Sequence, residues 1–348
     1  MKKLSALLLF MVSPALVSLA GSVVAPYEIG TWRGFRPAAI SYTFDDDLPN
    51  QYAVAVPMFN ARNFKLTLFT VTTWVPGDSW APLQNAALSG HEIASHTVTH
   101  PRLSGLSAEK QTNELANSQQ TINANVTNAS CVTIAYPYCV EGDTQITSKY
   151  YIAARGCSGQ LVPATPADFM NISSFVCGTE GSIKTPEDFN HLADRAAAAN
   201  AWAVYLIHAI DKDKGYSPLP GATLQASVDY LAANTNKFWV ETFGNVVRYI
   251  KERNAVSIGE TSSQESRIVL QVTHDLDPSI FNYPITVRRP LPVGWAAATV
   301  SQNQQPVHAN IVSVNSAQYV MFDVVPNGGE IVLSKAVETD TLRFPRSF

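Results

Sequence analysis

Two short polar stretches, each at the end of an apolar run, limit the folds open to this 348-residue chain more than any other feature. Ala38-Ala39-Ile40-Ser41-Tyr42-Thr43-Phe44 reads as a buried strand, with Asp45-Asp46-Asp47 at its exit. Ile93-Ala94-Ser95 is a second apolar step, and it leads into His96-Thr97-Val98-Thr99-His100. Polar groups at the C-terminal ends of successive strands are where α/β barrels keep their chemistry. His96 and His100 are four positions apart, so a helical turn would set both imidazoles on one face. Two imidazoles and one carboxylate make a zinc site with a position left for water. The acidic run has a further carboxylate to act as base. Each stretch has a plainer reading on its own. Histidine pairs at this spacing occur on surface helices, and acidic runs serve as solvated turns or calcium loops. Placement at two strand ends is what favours a site.

The rest of the chain supports that architecture. Lys65–Val71, Val132–Ala135, Tyr150–Ala154 and Trp202–His208 read as further strands. Between them, Ser107 caps a helix running to about Val126, and Thr185-Pro186-Glu187-Asp188 opens another through Ala199. Thr223–Asn234 and Glu241–Arg253 are amphipathic helices. Strand–helix alternation predicts an α/β fold with a parallel sheet. The texture changes at 257–266, which reads as a linker. Beyond it, short alternating runs such as Arg267–Val272 and Gln318–Val324 predict a small C-terminal all-β, sandwich-like domain over 267–348. That domain would bind glycan or cover a face of the barrel. Tyr283, Trp295, Tyr319 and Phe322 are its candidate aromatics, and aromatics in strands are usually core.

Lys2 and Lys3, an apolar run and Ser18-Leu19-Ala20 predict a signal peptide over 1–20, so the expected location is secreted or periplasmic. No later stretch suits a membrane span. A net charge of −4 with only 15% charged residues argues against a nucleic-acid partner and fits a neutral glycan. Cys131, Cys139, Cys157 and Cys177 predict disulfides with three possible pairings, and a Cys131–Cys139 bridge would brace Tyr136-Pro137-Tyr138. Asn125, Asn128 and Asn171 stand in glycosylation triplets that matter only in a eukaryotic host.

Thr43-Phe44-Asp45-Asp46, His96-Thr97-Val98-Thr99-His100, Pro137-Tyr138 and Leu206-Ile207-His208 follow one another over about residues 38–210. In these elements and their order the chain resembles the polysaccharide deacetylases of carbohydrate esterase family 4. The resemblance implies a distorted (β/α) barrel with fewer than eight strands, here over 21–256. It also implies a divalent metal, zinc or else cobalt or nickel, held by Asp46, His96 and His100. Asp45 would be the general base and His208 the general acid. The Tyr138 N–H would help hold the oxyanion, and Leu206 would line the acetyl-methyl pocket. The implied partner is an acetylated polysaccharide, N-acetylated and chitin-like or O-acetylated and xylan-like.

The chain departs from the family pattern at three places. Asp47 stands where the family has glycine. Ala135 stands where an arginine orients the base, leaving Arg36, Arg102 or Arg155 as substitutes. No Asp-Trp pair follows Arg155 to tune the acid histidine, and Asp168 is the nearest acid. A glycan-binding protein on an impaired barrel, or a hydrolase of non-carbohydrate amides, are the competing readings. His91 would be packing or support for the metal stretch; His191, His274 and His308 lack partners at ligand spacing.

Overall fold

The computed structural model describes residues 27–75, 80–127 and 130–336. The expected signal peptide, the tail from 337 and Asn128 lie outside the described residues.

The barrel is built from β2 (Ala38–Asp45), β3 (Thr67–Thr70), β4 (Glu92–Ser95), β5 (Thr133–Ala135), β6 (Ala153–Arg155), β7 (Phe175–Val176), β8 (Trp202–Ile207) and β9 (Phe238–Val240). All pair in parallel, in the order β6-β5-β4-β3-β2-β8-β7, with β9 beside the start of β2. With β9 off the path, the seven strands that follow one another form the distorted (β/α) barrel with fewer than eight staves. Ile172, bridged to Arg155, helps close the gap between β6 and β7. Helices α1 (Val56–Asn60), α2 (Ala81–Leu88), α3 (Ala108–Asn125), α4 (Thr144–Thr147), α5 (Pro186–Ala198), α6 (Gly221–Ala232) and α7 (Phe243–Ala255) connect the strands. Ser107 caps α3, and Thr185 with Asp188 forms a reciprocal capping box on α5. No described helix is long and apolar enough to cross a membrane.

Every residue of β2 is buried, as a strand covered on both faces requires. Period-two alternation then sorts its side chains. Ile40, Tyr42 and Phe44 pack outward beneath the helices, where Tyr42 meets Phe59 edge-on at 5.0 Å. The odd positions turn inward. Ser41 accepts from Trp202 Nε1 at 3.0 Å, and Thr43 donates to the Tyr205 carbonyl at 2.8 Å. Asp45 is the next inward position, at the rim.

The C-terminal unit comprises β10 (Ser257–Ser263), β11 (Arg267–Thr273), β12 (Ile285–Pro290), β13 (Ala297–Gln302), β14 (Gln305–Val307), β15 (Ala309–Val314), β16 (Ala317–Val324) and β17 (Ile331–Ala336). They form two antiparallel sheets, β10-β11-β17-β13-β14 and β1-β12-β16-β15, where β1 is Glu28–Ile29 at the other end of the chain. Residues 257–263, expected to be linker, are therefore strand β10, paired from Ser257↔Thr273 onward. Its polar residues misled because an edge strand is held by backbone bonds on one side and buries little.

The two parts share one core. Trp32, Tyr249 and Trp239 pack in the same cluster as Val287, Val320 and Phe322. Polar bonds cross the seam too: Tyr283 N donates to Glu252 Oε1 at 3.0 Å and Tyr283 Oη to Glu241 Oε2 at 2.8 Å. Of the candidate aromatics, Trp295 and Phe322 are buried, and Arg288 covers the Tyr319 ring.

Candidate active site

Three acids leave β2 through an unusual backbone. Asp46 and Asp47 have φ of 76° and 56°, the left-handed region that Asp tolerates better than most residues. This accounts for an expected glycine at position 47, and Asp47 fills it with a different task. Its Oδ1 accepts from Tyr52 Oη at 2.9 Å and its Oδ2 from Val71 N at 3.0 Å, tying the exit of β2 to that of β3. Burial pushes its carboxyl up to about 7 despite these donors. Gln51, which the sequence did not single out, donates through Nε2 to the carbonyls of both Asp45 (2.5 Å) and His208 (3.0 Å).

The histidine pair does not ride a helical turn. Thr97 and His100 have φ of 71° and 58°, so 96–100 is a loop leaving β4. It is fixed by Glu114 on α3, whose Oε2 accepts from Val98 N (2.8 Å) and Thr99 N (2.9 Å). His96 Nδ1 lies 2.8 Å from the Ala135 carbonyl, so Nδ1 carries the proton and Nε2 presents its lone pair. Its Nε2 is 3.2 Å from that of His100. Burial pulls His96 down to about 3 and lowers His100 as well, so both imidazoles are neutral.

Asp45 sits at the centre. Its Oδ2 is 2.5 Å from Arg155 Nη2, 3.6 Å from His96 Nε2 and 3.8 Å from His208 Nε2. Burial alone would raise this carboxyl; Arg155 foremost, with His96 and His208, holds it below the usual carboxylate range. Of the three arginines weighed as substitutes for the one missing at Ala135, Arg155 is the one that arrives. Arg36 bonds the Thr235 carbonyl, and Arg102 lies over the Tyr138 ring.

Tyr138 lies in the one-turn 3-10 helix Pro137–Cys139 with φ of 56°. A Cys139–Cys157 disulfide pins that turn to the segment just beyond Arg155. The bridge thus braces the Tyr138 turn from position 157 instead of 131. Cys131 and Cys177 are buried thiols, which burial pushes up and leaves inert. Leu206 is buried on β8, paired with Val176. His208 follows it, lowered by burial, and its buried Nδ1 has no hydrogen-bond partner among the described residues. Asp168 is exposed and bonds Met170 N, so it does not serve His208. His91 faces away, accepting from Leu66 N and meeting Asn60 Oδ1. The rings of Trp74, Tyr138 and Tyr216, of which Trp74 and Tyr216 were missed as site residues, line the rim at 48%, 55% and 50% exposure. Their ring centroids lie 5.0 Å from His100, 4.6 Å from His100 and 5.0 Å from His208 respectively.

Asp46, His96 and His100 suit a divalent cation. Each offers one ligand atom, and those atoms all lie within 4.8 Å of one another. Asp46 Oδ1 is buried without a hydrogen-bond partner. Burial, with Asp45 and Asp47 alongside, pushes its carboxyl up to about 7, an imbalance that a cation would reverse.

The family model described as polysaccharide deacetylase matches residues 33–151. A gellan lyase from a Bacillus species is 28% identical over 327 residues, covering 87% of this chain and 13% of that protein. A putative polysaccharide deacetylase of Bacillus subtilis is 29% identical over 98 residues, covering 27% of this chain and 35% of that protein. The chain therefore spans only 13% and 35% of these two relatives' own lengths. A solved structure, a putative polysaccharide deacetylase from Mycobacterium smegmatis, aligns with a TM-score of 0.48 at 18% identity, covering 65% of this chain and 94% of that one. Over residues 33–151, which carry Asp45, Asp46, His96, His100 and Tyr138, this chain resembles the polysaccharide deacetylases.

Proposed function

We propose that this protein is a metal-dependent hydrolase that removes acetyl groups from an acetylated polysaccharide outside the cell. The observation that carries the reading is the position of Asp45. One oxygen of this buried carboxylate lies within 4 Å of an arginine and two histidines, beside a three-residue ligand set for a cation. A cation held by Asp46, His96 and His100, zinc in the first instance with cobalt or nickel as alternatives, would supply Lewis-acid charge to the acetyl carbonyl and to water.

The chain's own groups do the rest. Asp45, kept ionised by Arg155, takes the proton of the attacking water. The Tyr138 N–H, an early donor of a helical turn with no partner inside that turn, faces the developing oxyanion. Leu206 borders the acetyl methyl. His208, neutral at the outset, takes over the proton that Asp45 has gained, across their 3.8 Å approach, and gives it to the departing nitrogen or oxygen.

Trp74, Tyr138 and Tyr216 favour a sugar polymer over a small amide. Three large exposed rings beside His100 and His208 offer flat apolar faces of the kind that sugar rings stack on. The β unit serves chiefly to cover the barrel with which it shares a core.

A second reading has one observation in its favour. The unpartnered Nδ1 of His208 leaves that imidazole untuned, as in a barrel that binds glycan without turning it over. The experiment is acetate release from acetylated chitin oligomers and acetylated xylan by zinc-loaded protein, beside Asp45→Asn. Release lost in the variant, and lost on chelation with recovery on zinc, supports the hydrolase, and the preferred polymer decides between amide and ester. Tight polymer binding without acetate release establishes the binder.

A further inference from the structure

A second cleft lies far from the rim, where the opposite end of the barrel meets the β unit. It has a volume of about 430 Å³. Arg33, Arg36 and Arg62 line its barrel side, and His308, Asn310 and Asp323 its β side. Clefts of this size between packed units are common ligand sites.

One of its cations has no carboxylate in contact. Arg62 pairs with Asp229. Arg33 takes Asp323, with Nε and Nη2 at 3.0 and 2.8 Å from Oδ2. Glu241 is occupied by Tyr283 Oη, Thr242 N and Asn245 Nδ2. Arg36 has only carbonyls: Nε donates to Thr235 at 2.6 Å and Nη1 to Arg33 at 2.9 Å. Among the described residues no carboxylate lies within 4 Å of it, and its Nη2 has no acceptor. Burial, then the like charge of Arg33, lowers its affinity for its own proton.

The local backbone leaves room for the guanidinium there. Gly34 has φ of 71°, and a Cβ on it would lie 2.4 Å from Arg36 Nη1. A half-buried guanidinium with no carboxylate in contact and Nη2 left without an acceptor is a receptor for a carboxylate. The exposed His308 and Asn310, which line the same cleft, offer further polar groups.

We propose that this cleft binds an acidic sugar, with Arg36 receiving its carboxylate and His308 and Asn310 its hydroxyls. The cleft would thereby anchor a uronic-acid unit of a polymer whose acetylated part reaches the rim of the same or a neighbouring molecule. The sugar half of the assignment rests on the proposed polysaccharide substrate; the carboxylate half rests on Arg36 alone.

The test is calorimetric titration of the full chain with glucuronate and with glucose. Glucuronate should bind and glucose should not. Arg36→Gln should weaken glucuronate about tenfold. Asn310→Ala and His308→Ala, on an exposed wall that does not carry the fold, should weaken it about threefold each. Asp46→Asn, which empties the metal site, should leave it unchanged. Equal binding of glucose, no loss in the Asn310 and His308 variants, or loss in Asp46→Asn would overturn the proposal. The acetate assay is read separately, so failure of one reading leaves the other standing or falling by its own result.

Discussion

Ala135 and Arg155 are register partners on the adjacent parallel strands β5 and β6, and the guanidinium that meets Asp45 comes from the second of them. Neighbouring strands lie about 4.8 Å apart. An arginine spans that extra distance easily, and the small Ala135 leaves it room. Asp45 therefore keeps its cation, supplied from one strand over. Arg155→Met should lower kcat about 100-fold, the scale expected when a preorganised charge is removed from a catalytic group. It should also move the acid limb of the pH–rate profile upward. Without the cation the Asp45 carboxyl rises, so it is protonated, and unable to accept, at a higher pH. Arg155→Ala combined with Ala135→Arg should recover part of the rate, which a loss due only to misfolding would not allow.

The aromatic rim predicts a different signature. Trp74→Ala and Tyr216→Ala should each raise KM for acetylated oligomers about tenfold, ~1.4 kcal/mol of lost binding. Turnover of a small acetyl ester, which has no ring to stack, should stay within twofold. Equal losses on both substrates would assign these rings to folding.

The Cys139–Cys157 bridge closes a separation of 18 residues that includes α4. Cys139→Ser with Cys157→Ser should cost about 3 kcal/mol of stability on the chain-entropy scale, read as a lowered midpoint in urea. The same change should lower kcat more than it raises KM, because the Tyr138 turn and the Arg155 strand lose their common anchor.

Glu252 gives the fold a pH dependence of its own. Its side chain is enclosed at the seam, its Oε2 3.7 Å from His274 Nε2, and burial pushes it up to about 7 from 4.5. A raised carboxyl is bound to its proton more firmly in the folded state. Its contribution is thus fully present below pH 4.5 and is lost as pH rises through 7. Between pH 5 and pH 8 the wild-type Tm should fall relative to that of Glu252→Gln, which keeps an acceptor for Tyr283 N. Parallel Tm curves for the two proteins would refute the assignment.

The cluster of Asp46, His96 and His100 and its neighbouring carboxylate were legible because strand exits and residue type coincide at Asp45, Asp46, His96 and His100. The partner of Asp45 was not, since no spacing reveals that Ala135 and Arg155 face each other across two strands. The helical reading of His96 and His100 failed on two left-handed residues, whose loop is set by Glu114 from another element. Trp74 and Tyr216 carry no pattern because their loops have none. In the β unit, periodicity revealed β11, β12 and β16, whereas polar β10 looked like a tether.

The pairing of Glu28 with Arg288 joins positions 260 residues apart, in both backbone register and side-chain contact. During synthesis the first described strand therefore waits for nearly the whole chain before it finds its neighbour. Contacts of such long range are slow to form and come late. The barrel can gather its staves as they emerge, but the sheet that covers it stays incomplete until β12 arrives. A fragment ending at α7 would carry this strand without a partner. The seam is consequently a checkpoint on completeness: a truncated chain would present a bare face where the finished one is sealed.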